Sequence, residues 1–208
     1  MSSYVDFFRR SIDDRDGFWR EQAALIDWHK PFDQVCDYSN PPFAKWFAGG
    51  QTNLCHNAVD RHLATRPDQN ALVFVSTETN IDKAYSYREL HAEVQRMAAI
   101  LKDMGVEKGD RVLIYMPMIA EACFAMLACA RIGAIHSVVF AGFSANSLHE
   151  RMVDTGAVAV ITSDQQVRGG KLLPVKTFVD EALELGGCEA VHSVIVYQRT
   201  GTQVPMQA

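Results

Sequence analysis

Between residues 71 and 197, short apolar runs alternate with stretches of helical periodicity, and this alternation constrains the fold more than any other feature. The runs are Ala71–Val75, Arg111–Met116 (stopped by Pro117), Ile135–Phe140, Val158–Thr162 and Val191–Tyr197. Ser86 and Glu89 form a capping box that opens a helix with Leu90, Val94, Met97, Leu101 and Met104 on one face, and Gly105 suits its end. Ile119–Ile132 is apolar nearly all round, as a helix buried on several sides would be. Further helices are expected around Leu148 and Met152 and over Val175–Leu185. Strands that are apolar without interruption need cover on both faces, and helices between them supply it. The expectation for residues 71–208 is therefore α/β, with a mostly parallel sheet flanked by helices.

Residues 1–70 read differently. They hold Trp19, Trp28 and Trp46, several Pro and Gly breakers, and few apolar runs. Ser11–Asp14 can start a short helix carrying Phe18, Trp19, Ala23 and Ile26. Asn53 can cap another, with Leu54, Ala58, Val59 and Leu63 inward and an end near Arg66-Pro67. Between them Lys30-Pro31, Asn40-Pro41-Pro42 and Gly49-Gly50 suggest irregular chain. This segment is expected to be an arm that buries aromatics against a larger body without a sheet of its own.

The 208 residues are 48% hydrophobic and 22% charged, which excludes a disordered, collagen-like or coiled-coil chain. Twenty Lys and Arg against 25 Asp and Glu, a net charge of −5, argue against a broad nucleic-acid surface. No apolar run reaches the roughly 18 to 20 residues of a membrane span, and Met1–Asp6 lacks a secretory signal's basic and apolar regions. The expected address is the cytoplasm. Cys36, Cys55, Cys123, Cys129 and Cys188 lack the close spacing of a zinc site or disulfide framework, so no metal is expected. His56 and His62 read as structural.

Ligands of open α/β sheets sit beyond the carboxyl ends of the strands. Two loops there carry chemistry. Phe140-Ala141-Gly142-Phe143-Ser144 is a strand-to-helix turn, with Gly142 free for unusual backbone angles and Ser144 as N-cap. Asp164–Lys171 contains Arg168-Gly169-Gly170-Lys171, bare amides bracketed by two cations, which suits a phosphate. From spacing alone the motif is short, and Gly-Gly flanked by basic residues is more often a solvated turn. Neither GxGxxG after the first strand nor GxxxxGK[ST] occurs.

Several stretches together resemble one family. They include Asn53-Leu54-Cys55-His56-Asn57-Ala58-Val59-Asp60-Arg61, Tyr85-Ser86-Tyr87-Arg88-Glu89-Leu90, Tyr115-Met116-Pro117-Met118, Ala128-Cys129-Ala130-Arg131-Ile132-Gly133-Ala134 and Arg168-Gly169-Gly170-Lys171. In this order they resemble the N-terminal portion of AMP-forming short-chain acyl-CoA synthetases. Ser39-Asn40-Pro41-Pro42-Phe43 looks more like the propionyl-CoA than the acetyl-CoA synthetases. The resemblance implies the first part of the large domain of the acyl-adenylate-forming fold. It also implies a ligase that uses ATP, expected with Mg²⁺, to make an acyl-adenylate, then passes the acyl group to CoA. The family's phosphate loop and catalytic lysines are not among these residues, so the chain is expected to be a truncated piece with no catalytic residue of its own. It would need the missing remainder of its chain as partner. By the same resemblance, Arg168, Gly169, Gly170 and Lys171 would meet CoA phosphates, and Phe140, Ala141, Gly142 and Phe143 would line the surface beside them. Lys171 stands where acetyl-type members often have Arg, and Ala141 where they have Gly. An acetyl-CoA synthetase and a free-standing nucleotide- or partner-binding module remain the alternatives.

Overall fold

A computed structural model describes residues 3–77 and 79–206. Met1, Ser2, Gln207 and Ala208, the two extremes of the sequence reading, lie outside the described residues. The chain divides into two compact units between Asn57 and Ala58.

The first unit opens with α1 (Tyr4–Asp13), where the Ser3 hydroxyl accepts from the Asp6 amide and the Asp6 carboxylate accepts in return from Ser3. Helix α2 (Arg15–Ala23) follows, capped by Asp14. The helix expected from Ser11 thus starts later, and the one before it went unread because its box closes with Asp rather than Glu or Gln. Phe18 and Ala23 are buried as expected, while Ile26 lies past the helix end.

The stretch expected to be irregular makes its own sheet: β1 (Gln34–Asn40) and β2 (Phe43–Ala48) pair antiparallel, with Asn40 opposite Phe43. Pro41 and Pro42 occupy the turn, where a missing N–H costs no ladder bond. As breakers they marked the hairpin's end and hid its strands. Asn53 does cap a helix, its carboxamide accepting from the His56 amide at 3.1 Å. That helix, α3 (Leu54–Ala58), is shorter than expected; a single 3₁₀ turn (Asp60–His62) follows, and Leu54 is 63% exposed rather than inward.

In the second unit the first apolar run does not join the parallel sheet. It forms β3 (Asn70–Ser76), paired antiparallel with β4 (Ile81–Ser86), a strand the sequence reading did not recognise. Val73 and Val75 face outward there. Helix α4 (Tyr87–Asp103) starts at the expected box, Ser86 donating to Glu89 at 2.8 Å, and buries Leu90, Val94 and Leu101; Met104 lies outside it and is exposed. Then come β5 (Arg111–Tyr115), α5 (Ala120–Ile132), β6 (Ile135–Val138), α6 (Ala145–Thr155) and β7 (Ala159–Ser163). A short hairpin, β8 (Gln166–Arg168) and β9 (Lys171–Leu173), precedes α7 (Val175–Glu184) and β10 (Ser193–Tyr197).

The sheet order is β10-β7-β5-β6, with every pairing parallel. Interior strands β5 and β7 are fully buried from Val112 to Tyr115 and from Ala159 to Ile161, as unbroken apolar runs require. On one face Leu113, Tyr115 and Val160 pack with Leu148, Met152, Val175 and Val179 from α6 and α7. The polar stretch after β10 is not loose: Arg199, Thr200 and Thr202 all donate to the Asp164 carboxylate.

Candidate functional site

The carboxyl ends of β5, β6 and β7 deliver the residues that matter. After β6 the chain turns sharply, with the Gly142 and Phe143 amides both donating to the Phe140 carbonyl, at 2.7 and 3.1 Å. The turn is pinned from below, where the Tyr115 hydroxyl donates to the Phe143 carbonyl at 2.7 Å. Burial pushes the Tyr115 phenol up to about 12, so it remains a donor at neutral pH. Ser144 then caps α6 as expected, accepting from the Ser147 amide. Ala141 is 1% exposed and packs with Leu113, Tyr115 and Leu148. Its methyl belongs to the core, so Ala in place of Gly leaves the outer face of the turn unobstructed.

Gly142 does not use glycine's backbone freedom, contrary to expectation. Its φ is not in the left-handed region. What needs glycine is space: a Cβ here would lie 2.6 Å from Phe140 Cε1 and 2.7 Å from Arg168 Nη1. The glycine lets an aromatic ring and a guanidinium converge on its backbone. Arg168 completes the arrangement, its guanidinium carbon 5.1 Å from the centroid of the Phe140 ring.

The loop that brings Arg168 is itself the tip of the β8–β9 hairpin, more ordered than the expected phosphate loop. Arg168 pairs with Lys171 across a two-residue turn, and Gly169 and Gly170 have φ of +55° and +73°. Both values suit a type I′ turn, which only glycine and a few polar residues adopt cheaply. Here space is not the reason, since a Cβ on either glycine would meet nothing within 4 Å. Directly opposed residues of an antiparallel pair share a face, so Arg168 and Lys171 are held side by side, a repulsive arrangement unless an anion joins them. Among the described residues no carboxylate forms an ion pair with either. Arg168 and Phe140 also line a cleft of about 310 Å³ that is walled by Met116, Met118 and Arg199.

The two expected loops therefore come together, while other candidates stay apart. Burial pushes the Cys129 thiol up to about 12 and raises Cys123 and Cys188, which leaves them inert at neutral pH. His56 faces Asp27 at 3.3 Å, and His62 packs against Tyr87 with the two rings tilted by 58°. Among the described residues no three His, Cys, Asp or Glu side chains converge to hold a metal. Tyr115 and Asp164 lie in stretches that the sequence singled out, but their roles as pin and anchor were not legible there, and Arg199 lies outside every such stretch.

Residues 59–206 match the AMP-binding enzyme family, and residues 4–58 match the acetyl-coenzyme A synthetase N-terminus. The chain belongs to the AMP-binding enzyme family. Among relatives, the propionate–CoA ligase of Escherichia coli is 50% identical over 93% of the chain, and the acetyl-coenzyme A synthetase of Cupriavidus taiwanensis is 56% identical over 98%. The acetoacetyl-CoA synthetase from Streptomyces lividans superposes with a TM-score of 0.89 at 31% identity over 99% of the chain. In each comparison the chain spans 31% of the relative's length. Within the AMP-binding family the propionate and acetate enzymes are thus comparably similar. Ser39–Phe43, which leaned toward propionate, spans the end of β1, the Pro41-Pro42 turn and the start of β2, with Tyr38 and Phe43 exposed.

Proposed function

We propose that this chain is the N-terminal part of an AMP-forming ligase that activates propionate, or alternatively acetate, and transfers it to CoA. The carboxylate would attack the α-phosphate of ATP, forming acyl-adenylate and releasing pyrophosphate. The CoA thiol would then displace AMP, giving acyl-CoA. In this reading residues 1–208 supply no catalytic group; they build the surface that receives the nucleotide end of CoA. Arg168 contributes a guanidinium fork to a phosphate, Lys171 a second, less directional cation, and Gly169 and Gly170 an unobstructed turn. Phe140 holds the guanidinium from behind, and Ala141 and Gly142 keep the neighbouring backbone open.

One observation carries the reading: two loops separated in sequence place Arg168, Phe140 and Gly142 in mutual contact at the carboxyl end of a parallel sheet. Mg²⁺ would arrive complexed to ATP phosphates. The work would take place in the cytoplasm, with small-molecule substrates and the rest of the ligase chain as partners, and neither nucleic acid nor membrane.

The test is to express the chain with and without the reading frame that follows it. The longer product should contain a Ser/Thr/Gly-rich phosphate loop and a catalytic lysine, and convert propionate or acetate, ATP and CoA to acyl-CoA, AMP and pyrophosphate. Residues 1–208 alone should show no carboxylate-dependent exchange of pyrophosphate into ATP. Exchange by the short chain would overturn the statement that residues 1–208 supply no catalytic group, and a continuation without those elements would leave a free-standing nucleotide-binding module as the better account.

A further inference from the structure

Arg199 lies just past β10, outside every motif read from the sequence, yet it borders the same cleft as Arg168. Its backbone is held unusually firmly for a polar segment near the end of the sequence. Asp164, at the carboxyl end of β7, is 1% exposed. One of its oxygens accepts from the amides of Gln165 and Arg199, at 2.7 and 2.9 Å. The other accepts from the Thr200 amide and hydroxyl, both at 2.9 Å, and from the Thr202 amide at 3.2 Å. Residues 199–202 are thus wound around one buried carboxylate. Burial alone would raise this carboxyl, but the donors from Gln165, Thr200 and Arg199 outweigh it and hold it below the usual range.

The Arg199 side chain is not committed elsewhere. It also borders a smaller hollow with Lys83 and Glu121, yet among the described residues no carboxylate lies within ion-pair distance of its guanidinium. An exposed Arg168 and a half-buried Arg199 border one cleft, and among the described residues neither has a carboxylate partner, an arrangement that an anion completes. Anchoring the segment in advance removes the ordering cost that a loose tail would meet on binding.

We propose that Arg199 is a second anion-binding residue of this cleft, positioned by Asp164, and that Arg168 and Arg199 together take the phosphate groups of a nucleotide. This rests on the reading of Arg168 as a nucleotide-phosphate contact and extends it to a residue outside that motif.

The test is a nitrogen-15 NMR titration of the 208-residue chain with adenosine 3′,5′-bisphosphate and, separately, with ATP. Both arginine side-chain resonances should shift. Arg199→Ala should weaken binding about 10- to 100-fold, the range for a charge-assisted contact, and Arg199→Lys should lose less. Asp164→Asn should weaken binding too. In the Arg199→Ala background it should add no further loss of affinity, although it still lowers the melting temperature; a merely structural role would not separate those two readouts. Unchanged affinity in Arg199→Ala, with loss in Arg168→Ala, overturns the inference and leaves the CoA reading standing. Loss in both arginine variants with ATP preferred over the bisphosphate supports the two-arginine cleft and overturns its assignment to CoA. No response of the wild-type chain to either nucleotide at millimolar concentration overturns both.

Discussion

The two turns that build the site use glycine for opposite reasons. In the turn after β6, Gly142 has an ordinary backbone angle and no room for a side chain. At the tip of the β8–β9 hairpin, Gly169 and Gly170 have ample room and backbone angles that L side chains rarely adopt. The first turn is a packing device, made tight so that a ring and a guanidinium can meet. The second is a conformational device, made sharp so that two cations emerge side by side. A single replacement by alanine should therefore fail differently at each place.

Gly142→Ala should have the largest effect on the geometry of the site. Its Cβ would fall inside contact distance of the Phe140 ring and the Arg168 guanidinium. Both are exposed side-chain ends that can swing aside, so the stability cost should stay at about 1 kcal/mol or less while their mutual contact is lost. CoA affinity should fall because Arg168 is displaced. A variant with wild-type CoA affinity would mean that the turn yields freely and the packing account is wrong.

Tyr115→Phe tests the pin beneath that turn and should cost about 1 kcal/mol by denaturant titration. It carries a pH signature as well. Burial raises the phenol from 10.0 to about 12, so its contribution is intact below pH 10 and is lost as pH rises through 12. The wild-type chain should lose stability over that window, and the Phe variant should lose it less steeply. Parallel curves would remove Tyr115 from the account.

Gly170→Ala comes next. With no clash, only the positive φ matters, at about 1 kcal/mol of local strain, and Gly170→Asn should recover most of it because Asn tolerates that region. Hydrogen exchange in β8 and β9 should report the change, with the parallel sheet unaffected. An Asn variant as damaged as the Ala variant would point to crowding instead of conformation.

The same contrast explains what could be read from the sequence. Strands β5 and β7 and helices α4 and α5 announced themselves because burial on both faces leaves an unbroken apolar run, and a capping box is local. Hairpin β1–β2 did not, because its prolines looked like the end of structure when they were only its turn. Strand β4 went unread because Ile81-Asp82-Lys83-Ala84-Tyr85-Ser86 faces solvent along most of its length. At the site, Arg168 and Gly142 were legible as loop residues, but the reason for each glycine was not. Distances to Phe140 and signs of φ exist only in the folded chain. Asp164 and Arg199 were invisible as a pair because 35 residues separate them.

Arg168→Ala should have the smallest effect on stability, since the side chain is exposed and anchors no core residue. It nevertheless tests the central claim most directly. The measurement uses the ligase that carries this chain together with its adenylation elements, with both half-reactions followed on the same preparation. Carboxylate-dependent pyrophosphate exchange should be unchanged, because CoA is absent from that step. The apparent affinity for CoA should fall about 10- to 100-fold, the loss of one charge-assisted phosphate contact, and Lys171→Ala should lose less. Equal loss in both half-reactions, or an unchanged Michaelis constant for CoA, would contradict the assignment of this turn to the CoA phosphates.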